Sequence, residues 1–416
     1  MISQLFPRDF HRYVSLPVLG PLMDSYAAWL HNQHYTHWSS IYELRMAAHV
    51  CRFLKNRGKR QVEDVGEQDL KACYLSFRRK FPNKAGSARV LTRFLLDGGF
   101  VQPATAPEQG PVEVHTSAFM ADLKDARGLA PSTIRRQGQV AAEFLDWLKF
   151  EEKPDCLTSL SSGDIEGFIR HLGKRMGRVA LQKPIATIRN FLRFLIAGGL
   201  ITPGLESQID SPRVYRQEQL PRSLPWTTVQ SFLRSIDRKS GIGKRDYAVF
   251  SIMATYGLRA GDVAALTLDD IQWRAGRIRI CQSKTGEPLE LPLTDDVSSA
   301  IYDYLKRVPR YGKYRQVFLR LRAPGGGIKT TTVTEAFQSW STKSGLDIPF
   351  KGTHCLRHSY ALNLLHHGLP LKTIGDLLGH RSPESTSAYL RLATDDLRDV
   401  ALHVPTFIKR QKEGLS

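Results

Sequence analysis

The sequence predicts a mostly α chain with a small β-sheet or hairpin in its C-terminal part, an α+β domain preceded by helical domains. Three observations predict it. Apolar residues recur at helical spacing through the first half, as in Leu22, Tyr26 and Leu30, or Val140, Phe144 and Leu148. Short β-type runs at 277–281 and 289–293 flank the turn residues Ser283-Lys284-Thr285-Gly286. From Thr330 onward the helical pattern returns.

Length and composition set the outer limits. At roughly 100–200 residues per domain, 416 residues suggest two to four domains. Apolar residues at 42% and charged residues at 24% are globular values, which excludes a disordered or fibrous chain. The net charge of +19 implies a polyanionic partner, nucleic acid or an acidic membrane surface. The longest apolar stretch, 191–201, is broken by Arg193 and Gly198-Gly199, short of the ~20 residues a span needs. No signal peptide is expected, and five scattered cysteines without CxxC spacing argue for a reducing compartment. A cytoplasmic nucleic-acid-binding protein is the expectation, with no membrane partner.

The first half contains an apparent duplication. RMAAHVCRFL at 45–54 pairs with QVAAEFLDWL at 139–148, VEDVGEQDL at 62–70 with LTSLSSGDI at 157–165, and VLTRFLLDGGFV at 90–101 with IRNFLRFLIAGGLI at 188–201. Order is kept and the offset stays near ~95–100 residues, as expected of a repeated structural unit. Two aperiodic, Pro-containing stretches read as linkers, giving domains at 1–101, 115–201 and 224–402, linkers at 102–114 and 202–223, and a basic tail at 403–416.

In the second half, Asp246–Tyr256 reads as a helix that Gly257 ends, the two β runs as a hairpin, and Val317–Leu321 as a further strand. Thr353 is placed to cap a helix running to His367 and stopping at Gly368. Its first turn holds His354 and Arg357 on one face, at a helix N-terminus that already favours an anion. A phosphate is the natural ligand. Pro370 then opens a helix that Gly379 ends, putting His380 in the following turn, and Ser382-Pro383 starts the helix that carries Tyr389. Cys355 and His358 complete an HCLRH cluster with no distant ligand set, so a metal site is not expected.

Taken together, YGLRAGDVAALTLDDI at 256–271, THCLRHSYALNLL at 353–365 and LLGHRSPESTSAYL at 377–390 closely resemble the tyrosine recombinases, the phage integrases and their relatives. The resemblance covers the chain from about Leu224. It implies Arg259, Lys284, His354, Arg357, His380 and Tyr389 as the catalytic set, with Asp262 in support. One departure stands out: many members read Tyr-x-His after the nucleophile, where this chain has Tyr389-Leu390-Arg391.

The chemistry fits these residue types. Two arginines offer planar bidentate donors to the oxygens of a phosphodiester, which gain charge in the transition state. Ionising a tyrosine of pKa ~10 at neutral pH is uphill by roughly 4 kcal/mol, so His354 and His380 are the groups expected to offset it. Lys284 on a hairpin tip is the donor expected for the leaving 5′ hydroxyl, and the product is a 3′-phosphotyrosyl DNA. No cofactor is needed.

The resemblance further implies a C-shaped clamp on double-stranded DNA, with 115–201 as a SAM-like core-binding domain. Arg135, Arg136, Lys174, Arg175, Arg178, Lys183 and Arg189 are its expected phosphate contacts. Extra DNA contact is expected from 1–101 on the strength of the duplication and the basic run at 52–60. An inverted-repeat site, a tetrameric synapse, and a possible accessory recombinase or DNA-bending protein complete the expectation, with the tail packing in cis or in trans. Two other readings stay open: a type IB topoisomerase-like enzyme, and a catalytically silent DNA-binding relative.

Overall fold

The computed structural model describes residues 1–102, 110–215, 220–283, 286–308, 314–380 and 382–392. Lys284, most of the first linker, and the whole tail from 393, including the expected domain end at 402, lie outside the described residues. The chain forms two compact units, one of residues 49–218 and one of residues 1–48 with 219–416.

Six helices occupy the first 101 residues: α1 (Ile2–Leu5), α2 (Phe10–Val14), α3 (Met23–Asn32), α4 (His37–Asn56), α5 (Glu67–Lys80) and α6 (Ala85–Asp97). The boundary between the units falls inside α4, which runs from His37 to Asn56. Within the larger unit, His34 and Thr36 share a pocket of about 120 Å³ with Leu319, Arg320 and Gly326.

Next come α7 (Pro111–Asp125), α8 (Pro131–Trp147), α9 (Ser162–Gly173) and α10 (Arg178–Ala197). Pro111 and Pro131 stand at the first helical positions, where a missing N–H is harmless. The expected linker therefore ends at Gly110, four residues early. Phe119, Phe144, Phe168 and Phe191 fill the centre of this bundle. Gly138 lets α8 approach α7 closely, since a Cβ there would fall 2.5 Å from Met120 Sδ.

The duplicated segments adopt matching local geometry. Asp69 and Asp164 each reach back to the backbone N–H three residues earlier, at 3.1 Å and 3.0 Å, opening α5 and α9. At the other end, Gly98 N–H donates to Phe94 and Phe100 N–H to Leu95, while Gly198 N–H donates to Phe194 and Leu200 N–H to Leu195. Gly99 (φ 68°) and Gly199 (φ 69°) supply the left-handed residue both endings require.

The second expected linker is partly bound. Ile209 is buried in the α7–α10 core, and Arg189 and Gln182 donate to the carbonyls of Ile209 and Pro212. After it the chain builds α11 (Trp226–Ser235), α12 (Gly241–Tyr256) and α13 (Ala260–Ala265). A three-stranded antiparallel sheet follows, β1 (Ile271–Gln272), β2 (Arg277–Cys281) and β3 (Pro288–Pro292), in the order β1-β2-β3. Register pairs Arg277 with Pro292 and Cys281 with Pro288, so β3 starts one residue before the run read from sequence. Strand β1 was not anticipated. The expected strand at 317–321 is instead two isolated bridges, Thr267 to Gln316 and Leu319 to Gly327.

The remaining helices are α14 (Asp295–Arg307), α15 (Thr330–Ser344), α16 (His354–His366), α17 (Leu371–Leu378) and α18 (Glu384–Ser387). Helix α12 is the central strut, buried along most of its length, with its buried charges Arg245 and Asp246 paired to each other. Its Phe250 meets Phe232 of α11 and Phe337 of α15. Buried Asp246 accepts from Arg245 (2.7 Å) and from Trp340 Nε1 (2.9 Å), pinning α15 to α12. Among the described residues no helix is long and apolar enough to cross a membrane.

A candidate active centre and a candidate nucleic-acid groove

Helix ends build the centre. Gly257 closes α12 and Gly379 closes α17, both with positive φ (63° and 62°). Such endings leave carbonyls unpaired at the negative end of the helix dipole. Arg357 uses two of them: Nη1 donates to Gly257 O at 2.9 Å and Nη2 to Leu378 O at 2.6 Å. A guanidinium only 2% exposed is thus tolerated, fixed, and left with further N–H groups to offer. Burial, and next the neighbouring Arg259, lower its pKa to about 10, so it remains protonated at neutral pH. Neither glycine can be replaced simply. A Cβ at Gly257 would strike Tyr360, and one at Gly379 would lie 1.9 Å from Gln282 Nε2.

Arg259 precedes α13 and donates to Gln282 Oε1 at 3.1 Å. Asp262, three residues on, points its Oδ2 at Arg259 Nη1 (3.9 Å) while Oδ1 accepts from both the N–H and the Oγ of Ser283. One buried carboxylate therefore aligns the arginine and ties down the residue just before Lys284. Lys284 itself lies outside the described residues.

Tyr389 sits on a short 3-10 segment, 388–392, that follows α18, instead of on the helix expected to carry it. Its ring packs with Ala361, Ile374 and Leu378 in a small apolar cluster, and the residue is 2% exposed. Burial raises its pKa, opposed by the positive charges of Arg357 and Arg259. The hydroxyl stands 3.0 Å from His358 Nδ1. His380 lies parallel to the tyrosine ring, centroids 6.5 Å apart, and holds Thr386 Oγ1 through Nδ1 at 2.8 Å. His354 is exposed and meets the His358 ring edge-on at 4.6 Å. Thr353 occupies the capping position of α16, but its side chain makes no capping hydrogen bond.

Five of the six expected catalytic residues thus converge, with Asp262. Two further polar residues border this group. His358 stands in HCLRH, the cluster read from sequence as holding no metal. Gln282 carried no motif, and its signal is a buried polar residue just past the end of β2. Cys355 takes no part: burial pushes its thiol up to about 12.

A second feature lies in the smaller unit. Ser132, Thr133, Arg136 and Gln137 of α8 face Lys183, Ala186, Thr187 and Asn190 of α10 across a groove of about 470 Å³. Arg136 and Lys183 are exposed there; Arg135, Lys174 and Arg178 are exposed outside its lining. Two further expected phosphate contacts are engaged by protein groups. Arg175 pairs with Glu143, and Arg189 binds the Ile209 carbonyl. In the first repeat, Arg57 and Lys59 of the basic run both pair with Asp69.

Residues 223–395 match the phage integrase family and 117–199 match the phage integrase N-terminal SAM-like domain. The chain is 34% identical over 400 residues to an integrase/recombinase of Sinorhizobium fredii, y4rA, covering 94% of this chain and 97% of that protein. It belongs to the tyrosine recombinases of the phage integrase family. This recombinase is also 29% identical over 288 residues to tyrosine recombinase XerD of Listeria monocytogenes, covering 68% of this chain and 95% of that one. Two solved structures share the fold. XerH bound to a palindromic difH substrate, post-cleavage, gives a TM-score of 0.54 at 17% identity, covering 68% of this recombinase and 83% of that chain. The Tn1549 transposon integrase in complex with circular intermediate DNA gives 0.52 at 15% identity, covering 69% and 99%. The recombinase is accordingly an enzyme of DNA strand breakage and rejoining.

Proposed function

We propose that this recombinase attacks a DNA phosphodiester with Tyr389 and conserves the bond as a 3′-phosphotyrosyl link until a second strand's 5′ hydroxyl displaces it. The observation that carries this reading is the placement of the Tyr389 hydroxyl beside a histidine, within the field of two arginines. Arg357 and Arg259 hold the non-bridging oxygens and stabilise the charge they gain. Both are fixed before substrate arrives, so little reorganisation accompanies the reaction. His354 and His380 complete the polar rim around the phosphate, and Lys284, next in sequence after the Asp262-held Ser283, protonates the leaving oxygen.

Around this centre, Arg136 and Lys183 give backbone affinity in the α8–α10 groove, with Arg135, Lys174 and Arg178 as outlying contacts. The relatives' names favour a recombinase that integrates, excises or transposes a mobile element. It acts on double-stranded DNA at an inverted-repeat site as a tetrameric synapse, with an accessory recombinase or bending protein where one is required. Its place of work is the cytoplasm, at the nucleoid.

The test is to incubate wild-type and Tyr389→Phe protein with fragmented DNA from the source, trap covalent adducts with phenol and sequence their ends. Tyrosine-dependent adducts at one recurring inverted repeat are expected. Scattered adducts without sequence preference would favour a topoisomerase-like enzyme. Adducts that persist in the variant would sink the assignment of Tyr389.

A further inference from the structure

We propose that His358 is the base that takes the phenolic proton of Tyr389 during attack. The inference rests on Tyr389 being the nucleophile and adds a residue to the catalytic set. The Tyr389 hydroxyl is enclosed, and its hydrogen-bond partner is His358 Nδ1 at 3.0 Å. Burial keeps the phenol protonated, and with the ring hydrogen on Nε2 it donates to Nδ1, the tautomer this role requires. His380, by contrast, commits its Nδ1 to Thr386.

The step balances. The Tyr389 O–H bond breaks and its proton moves to Nδ1, while the oxygen electron pair forms the O–P bond. The P–O5′ bond then breaks, and the leaving oxygen takes a proton from Lys284. In rejoining, the incoming 5′ hydroxyl gives its proton to Lys284, the tyrosyl O–P bond breaks, and His358 returns its proton to the phenolate.

The surroundings also gate this base. Burial first, and then His354 and Arg357 of its own helix, His380 after α17 and Arg222 of the linker, hold His358 neutral, its pKa lowered to about 4. Tyr389 faces it from the 3-10 segment. A phosphodiester anion seated between Arg259 and Arg357 offsets that positive field and raises the proton affinity of His358. The base thus gains strength when DNA is bound.

The experiment measures single-turnover adduct formation on a duplex oligonucleotide carrying the site mapped with wild-type protein. His358→Gln keeps a hydrogen-bonding group but accepts no proton. Its rate is expected to fall at least ~100-fold with DNA affinity unchanged, and to rise about tenfold per pH unit above neutrality as the phenol ionises unaided. A wild-type rate, or a loss that pH does not relieve, overturns the proposal. Should the variant fail to fold, ¹⁵N-histidine spectra of wild type and Tyr389→Phe decide. An unprotonated Nδ1 at pH 7 that shifts on loss of the hydroxyl supports it; a protonated Nδ1 overturns it. No adduct from wild type on DNA that it binds would instead overturn the nucleophile assignment.

Discussion

The centre around Arg357 and the groove between α8 and α10 both present cations, and they present them in opposite ways. Arg357 is sealed in protein and held by two helix-end carbonyls, whereas Arg136 and Lys183 are exposed. A buried, doubly anchored guanidinium has one orientation and suits a transition state, where ångström errors are expensive in rate. Exposed cations follow a flexible phosphate backbone and contribute mostly to affinity. The contrast predicts that mutations in the centre strike rate and those in the groove strike binding.

The largest effect should come from Arg357→Ala, with adduct formation down by about 10³-fold or more at saturating DNA. It should also destabilise the fold, because the carbonyls of Gly257 and Leu378 lose their donors, at roughly 1–3 kcal/mol for an orphaned buried group. Arg357→Lys restores the charge but cannot span both carbonyls, so rate should stay low. Single-turnover kinetics with a melting curve check both halves. A variant that loses affinity and keeps rate would collapse the distinction between the two regions.

Asp262→Ala ranks next. Removing the carboxylate takes the negative charge from beside Arg259 and releases Ser283, the residue before Lys284. A drop on the order of 10–100-fold in rate is expected, with unchanged affinity. Ser283→Ala, which keeps the backbone N–H bond, should lose far less.

In the groove, Arg136→Ala and Lys183→Ala should each weaken DNA binding several-fold and lower the salt dependence of binding by about one unit. Rate at saturation should not change. Arg175→Ala and Arg189→Ala should leave the salt dependence alone, since Glu143 and Ile209 already engage those side chains.

Acid stability offers a smaller readout of the centre. His358 stays neutral down to about pH 4 in the folded protein, while an unfolded histidine takes up a proton near pH ~6.5. Between those values the unfolded state binds more protons, so stability falls as pH drops through that window. With partial exposure allowed for, the loss is on the order of 2 kcal/mol. His358→Gln should flatten that limb of a melting-temperature profile.

How much of this was legible follows from locality. The helix carrying His354 and Arg357, the glycine stops at 257 and 379, and the paired strands β2 and β3 are written in contiguous residues, and the structure forms them. What was misread depends on partners far along the chain. Arg189 meets Ile209, Arg175 meets Glu143, and a run such as RFLKNRGKR does not announce Asp69. The groove pairs helices about fifty residues apart, so no window of sequence contains it. His358 was hidden for a different reason: its partner, Tyr389, is 31 positions away, and only packing brings them together.

The two helical repeats sharpen the comparison further. They share helix-opening carboxylates and the same Gly-Gly ending, yet their surfaces differ. At the offset of 94 that aligns residues 45 and 139, Ser132, Arg136 and Gln137 correspond to Trp38, Tyr42 and Glu43, and Trp38 is 77% exposed. At the offset of 100 that aligns the glycine pairs, Lys183 corresponds to Asn83. At these aligned positions the first repeat carries neither cation of the groove. Neither Tyr42 nor Glu43 offers a cation to a phosphate. Tyr42→Ala with Glu43→Ala should change DNA affinity by less than about twofold and leave the salt dependence intact. A loss as large as that of Arg136→Ala, with a footprint shortened on the side of this repeat, would mean that both repeats grip DNA and that cations are dispensable to one of them.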